Sequence, residues 1–123
     1  MNNRKKLIWT ILALLPFFAQ AGEQEQLGAH AASCSAYFFS AANAKGVADY
    51  ESLYGSGEYT FNLAVSAIGN DAALKQFNVS SENINRLMQK RWSDFYKVDE
   101  HYREQCAALN LAYLRVREEN NEE

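Results

Sequence analysis

From Gln24 to Lys45 the apolar or small residues Leu27, Ala31, Cys34, Phe38 and Ala41 recur at spacings of three and four, the repeat of one helix face. Gly46 ends that pattern. The same stretch carries Ala29, Ala32, Ala36, Ala42 and Ala44 between Tyr37, Phe38 and Phe39, so neighbours can approach its backbone on more than one side. It is expected to be the central helix. Val47, Tyr50 and Tyr54 suggest a short second helix ended by Gly55, Glu58 to Ile68 a third ended by Gly69, and Asp71 to Phe77 a further turn. Beyond Gly69 there is neither Gly nor Pro. Asn78 and Ser80 offer a break and an N-cap, after which Ile84, Leu87, Met88, Arg91 or Trp92, Phe95, Tyr102, Cys106, Leu109, Tyr113 and Val116 hold helical register. This is either one very long helix or two with a bend, the bend then expected at "KVDEH", 97 to 101, where Val98 and Asp99 are poor helix formers. No run alternates as a strand does, and the expected fold is an all-α bundle of about four helices.

The amino terminus changes the picture of compartment. Arg4, Lys5 and Lys6 precede an apolar run from Leu7 to Phe18, and Ala19-Gln20-Ala21 has the small-x-small form that a signal peptidase reads. Residues 1–21 are expected to be a signal peptide cleaved before Gly22, 22–117 the helical domain, and 118–123 an acidic disordered tail. The run falls short of the roughly 20 apolar residues that span a bilayer, and Pro16 interrupts it. The chain is therefore expected to be periplasmic or secreted.

Cleavage would remove three of the 12 basic residues and none of the 15 acidic ones, moving the net charge from −3 to −6. Such an acidic surface disfavours nucleic acid and anionic lipid, which bind through Lys and Arg. "QKRW", 89 to 92, has two adjacent charges that a helix would turn to different faces. The mature form is expected to bind neither nucleic acid nor membrane.

Cys34 and Cys106 are the only cysteines. In an oxidising compartment they are expected to pair, joining the first and last helices. A bridge closing a loop of about 70 residues is worth roughly 4 kcal/mol in the chain-entropy model. His30 and His101 each precede a cysteine, in "HAASC" and "HYREQC", and Cys2His2 is a zinc set by type. His30 and Cys34 share a helix face, but five residues turn His101 away from Cys106 by about 500° of rotation. No metal and no cofactor are expected.

The segment "LYGSGEYTF", 53 to 61, looks most like a site. A phosphate loop would need a preceding strand and a following Lys, and has neither here. "SGEY" resembles the Ser-Gly-x-Tyr signature of the periplasmic inhibitors of C-type lysozyme, which place it on a β-barrel loop; no strand pattern surrounds it in this chain. The expected reading is a helix break, with Gly55 ending one helix, Ser56 capping the next and Tyr54 and Tyr59 packing nearby. Glu51 and Glu58 flank this turn, but no nucleophile, base and orienter accompany them, so no enzyme is expected.

"CSAYFFSAANAKG" near the start and "HYREQCAALNLAYL" near the end resemble the small secreted two-cysteine helical proteins of proteobacteria. That resemblance implies a disulfide-clipped helical fold and a periplasmic home, and it implies no activity. Acid-stress chaperones and immunity proteins against secreted amidases share the outline. The sequence thus points to a binding protein of the envelope with a protein partner, using an aromatic surface of Tyr50, Tyr54 and Tyr59. An acid-triggered chaperone or a toxin-immunity protein is the alternative, and an enzyme of unrecognised class a further one.

Overall fold

The computed structural model describes residues 2–121, with side chains from Gly22 onward except Val47. The leader expected over 1–21 and its cleavage point at Ala21 fall on residues whose side chains lie outside that description. Four helices carry the described residues: α1 (Asn2–Ala44), α2 (Val47–Ile68), α3 (Asn70–Met88) and α4 (Tyr96–Asn121), with a 3-10 turn at Trp92–Asp94 before the last. No strand occurs among the described residues.

Short connections make neighbours antiparallel. Gly28 of α1 lies against Ile68 of α2, and Gly57 of α2 against Phe39 of α1, so residue numbers rise on one helix as they fall on the other. On α4 the order again runs against α1, with Cys34 bonded to Cys106 and Tyr37 to Asp99. The result is an up-down-up-down bundle in which α1 packs on each of the other helices. Gly46 and Gly69 make the two tight turns at φ +86° and +87°, a region closed to most side chains.

Two kinds of core meet in this bundle. The larger joins Cys34, Tyr37 and Phe38 of α1 to Ile84 and Met88 of α3 and to Phe95, Val98, Tyr102 and Cys106 around α4. The smaller is made of alanines, Ala31 and Ala32 against Ala64 and Ala73, all fully buried. Alanine gives little apolar area, but it lets backbones come close enough for hydroxyls to reach across. Ser35 Oγ of α1 donates across to the carbonyl of Gly57 of α2 at 2.8 Å, while Thr60 Oγ1 donates within α2 to that of Ser56 at 2.8 Å. These buried hydroxyls are thereby satisfied by helix backbone. Ser35→Ala is expected to cost about 1 kcal/mol, the usual net worth of such a bond, read from urea unfolding at constant m.

Three expected breaks are displaced. α2 runs unbroken through Gly55, Ser56 and Gly57. Glycine disfavours a helix by about 1 kcal/mol, but here its missing side chain makes room: a Cβ on Gly55 would meet the Tyr113 hydroxyl, and one on Gly57 would lie 2.9 to 3.0 Å from the Phe39 ring. Ser56 is no cap, since its Oγ donates to Asn110 Oδ1 of α4 at 2.6 Å. The lysozyme-inhibitor likeness of "SGEY" therefore falls on the middle of a helix rather than a barrel loop.

α3 likewise continues through Asn78 and Ser80, and Ser80 shares a 2.7 Å hydrogen bond with Ser33 of α1 instead of capping. The bend expected at 97–101 comes earlier, at 89–95. Gln89 and Lys90 take φ of 51° and 59°, and Arg91 is extended before the 3-10 turn. Left-handed backbone costs a non-glycine residue about 1 kcal/mol, so no propensity signal marks this corner. Val98 is fully buried within α4, and Asp99 accepts from Tyr37 and pairs with Lys45, which is what these two poor helix formers contribute.

Leu27, expected on the buried face, is 48% exposed. At the other end α4 extends to Asn121, so Glu118 to Asn121 continue the helix where a disordered tail was expected; Glu122 and Glu123 lie outside the described residues.

Candidate functional site

Tyr50 and Tyr54 stand one helical turn apart on α2, 42% and 41% exposed, with rings stacked at 5.6 Å and 21°. Phe39 of α1 supports Tyr54 edge-on at 4.9 Å, and Phe77 of α3 supports Phe39 at 6.0 Å. The pair thus rests on a row of buried or half-buried rings. Beside it, at the α1–α2 turn, a cavity of about 420 Å³ is lined by Ala42, Asn43, Gly46, Ala48, Tyr50 and Glu51. A tyrosine surface of this kind offers apolar area at low entropic cost with a hydroxyl at its edge.

Tyr59 does not belong to this surface. Five residues beyond Tyr54 it is turned by about 140° around the helix, and its ring packs on Tyr113 of α4 at 5.9 Å. Glu51 and Glu58 are both exposed. Neither forms an ion pair among the described residues.

The disulfide lies deep in the fold. Cys34 of α1 and Cys106 of α4 have Cα atoms 5.5 Å apart, and each residue is 1% exposed. His30 covers one side, its Nε2–H donating to the Gln105 carbonyl at 2.9 Å while the same nitrogen lies 3.7 Å from Cys34 Sγ. His101 points elsewhere, edge-on to Tyr102 at 4.9 Å and exposed. Of the four residues of the zinc alternative, two are joined in a covalent bridge, His30 lies against that bridge and His101 is turned away from it. Among the described residues no group of three or more His, Cys, Asp or Glu could hold a metal ion.

A polar latch that sequence reading missed joins the end of α1 to the start of α4. Tyr37 Oη donates to Asp99 Oδ1 at 2.6 Å, and Lys45 Nζ lies 2.9 Å from Asp99 Oδ2. Arg103, Asp49 and Asn110 stand around the adjoining cavity of about 450 Å³, with Leu111 at its rim. Burial, and next the hydrogen bond to Asp99, raise the Tyr37 phenol well above its ordinary value. These residues come from distant parts of the chain and carry no local motif, so only folding assembles them.

The sign of the pH effect follows from that shift. The folded state holds the Tyr37 proton more tightly than the unfolded chain, whose tyrosine titrates near about 10. The contribution is fully present below that pH and is lost as pH rises from it toward the folded value. Stability measured by urea unfolding should fall between about pH 10 and 12, and less steeply in Tyr37→Phe. Equal slopes in the two proteins would show that other groups govern alkaline unfolding.

Comparison with family models, with curated proteins and with solved structures finds no match for this chain. Among the described residues no helix is long and apolar enough to cross a membrane.

Proposed function

We propose that this chain is a non-catalytic binding protein of the bacterial envelope, exported by residues 1–21, that docks a protein partner on the Tyr50–Tyr54 face. The observation that carries this reading is the exposed stacked pair itself, supported from below by Phe39 and bordered by the cavity at the α1–α2 turn. Half-exposed aromatic rings on a fixed helix face, next to a recess, are the arrangement of an interface anchor. A buried disulfide supports the export part of the reading, since oxidising compartments keep such bonds.

The test uses a photo-crosslinking amino acid at position 54 and, as control, at position 104 on the exposed side of α4, in cells that export the protein. A specific adduct from position 54 that Tyr50→Ala weakens supports the proposal. For an anchoring residue the expected loss of affinity in Tyr50→Ala is about tenfold or more, with Tyr59→Ala near wild type in binding after its fold is verified. The same adducts from both positions, or none from position 54, would overturn it. Amino-terminal sequencing of the exported protein checks the leader separately, with Gly22 expected as the first residue.

A further inference from the structure

The α3–α4 corner gathers what the sequence disperses. Residues 86–97, "RLMQKRWSDFYK", hold four of the chain's 12 basic residues, Arg86, Lys90, Arg91 and Lys97, and only one of its 15 acidic ones, Asp94. The rest of the chain then carries eight basic and fourteen acidic residues. On a continuous helix Lys90 and Arg91 would diverge, which is the premise that argued against a basic surface. That premise fails, because α3 ends at Met88 and the chain turns back through left-handed Gln89 and Lys90 and extended Arg91.

The same corner exposes two aromatic side chains that folding usually hides. Trp92 is 51% and Tyr96 55% exposed, while Phe95 between them is buried and fixes the turn to the core. Trp92 lies 6.3 Å from the Phe95 ring, and Lys97 Nζ stands 5.9 Å from the centre of the Tyr96 ring. Arg91 and Lys97 approach Asp94 at 2.8 and 3.9 Å, which leaves Lys90 and Arg86 without an ion pair among the described residues. Glu82, one turn before Arg86, lines the same recess as Arg86 and Lys90, and Glu100 is exposed one turn beyond Tyr96.

We infer that this corner is a membrane-surface contact, at which Trp92 and Tyr96 enter the headgroup layer of an anionic phospholipid bilayer while Lys90, Arg91 and Arg86 lie over its phosphates. Tryptophan and tyrosine favour that layer because one end of each ring system is apolar and the other can hydrogen-bond, and neighbouring Lys and Arg add attraction to anionic lipid. A lipid surface fits better than a protein. The corner is a single turn of chain, and a headgroup layer needs no matching outline, whereas a stable protein interface needs roughly 800 Å² of complementary surface on each partner. The acidic remainder of the molecule is repelled by the same surface, so the corner is presented toward it.

The test is co-sedimentation of the exported full protein with vesicles of phosphatidylcholine, with and without phosphatidylglycerol. Binding is expected only with phosphatidylglycerol and should weaken as salt is raised. Lys90→Glu with Arg91→Glu should reduce it at least about twentyfold, each basic residue near an anionic surface being worth about fivefold. Trp92→Ser with Tyr96→Ser should reduce it while far-UV circular dichroism stays unchanged, and Lys75→Glu, remote on α3, should not. Fluorescence of the wild type minus that of Trp92→Phe isolates Trp92, which should shift to the blue on binding. Absence of vesicle binding, equal binding to neutral vesicles, or binding indifferent to both double variants would each overturn the inference. Self-association that these variants abolish, without vesicle binding, would assign the corner to a contact between copies instead.

Discussion

Replacing Cys34 and Cys106 together by alanine should lower the stability of the protein by about 2 to 5 kcal/mol, the range for loss of a native disulfide in a small exported domain. The bridge closes a separation of 72 residues, so reduction frees most of the folded chain in the unfolded state. A native-state reason adds to this. The buried residues of α4 are Val98, Tyr102 and Cys106, all in its first half, whereas Leu111 and Val116 farther on are exposed. With the bridge gone, the second half of α4 retains chiefly Leu109, the Tyr113–Tyr59 contact and the Ser56–Asn110 bond.

Urea unfolding of wild type and double variant, both without reductant, measures the loss. Hydrogen exchange should show amides after residue 106 opening first. Thiol titration of denatured, unreduced wild type should find no free thiol; two would mean that the bridge is absent in the isolated protein. An unchanged urea midpoint in the double variant would mean that packing alone holds α4.

Gly57→Leu should cost about 3 kcal/mol, at the upper end of ordinary overpacking. Surface glycines within helices usually gain stability on substitution by a better helix former. Here the sign reverses, because even a Cβ at position 57 comes within 2.9 to 3.0 Å of the Phe39 ring, and that ring is held between Tyr54 and Phe77. A longer side chain would force α1 and α2 apart at the level where Ser35 reaches the Gly57 carbonyl. Phe39→Ala should recover part of the loss in the double variant, a coupling expected of residues in direct contact. If Gly57→Leu unfolds at the wild-type urea concentration, the close approach of these helices is not what position 57 provides. Gly55 tests the argument in milder form, since what stands over it is the tip of Tyr113, a side chain able to swing aside.

The two glycines show why the helix ends were read differently from sequence and from structure. Gly46 and Gly69 were legible as stops, because there the chain needs positive φ and only glycine adopts it readily. Gly55 and Gly57 carry the same letter for the opposite reason: they stay helical and supply the absence of a side chain. Ser56 and Ser80 divide in the same way, their hydroxyls spent on another helix rather than on a free amide. The corner at 89–95 was invisible because neither Gly nor Pro marks it. Of the aromatic surface, Tyr50 and Tyr54 follow from their spacing of four, and the same rotation separates Tyr59 from them.

By itself the sequence determined what depends on periodicity and composition: an all-helical chain, turns at Gly46 and Gly69, and one possible disulfide from two cysteines. Those follow from local backbone preference and from counting, which need no knowledge of neighbours. Only the tertiary structure decided where α2 and α3 run on, where the chain turns into α4, and which polar groups meet. The reason is that a helix propensity differs by about 1 kcal/mol or less between most residues, so a contact across the bundle can reverse it. Tyr37, Lys45 and Asp99 come together because α4 lies antiparallel to α1, and Trp92 is exposed beside Lys90 and Arg91 because two residues accept left-handed backbone to close the corner.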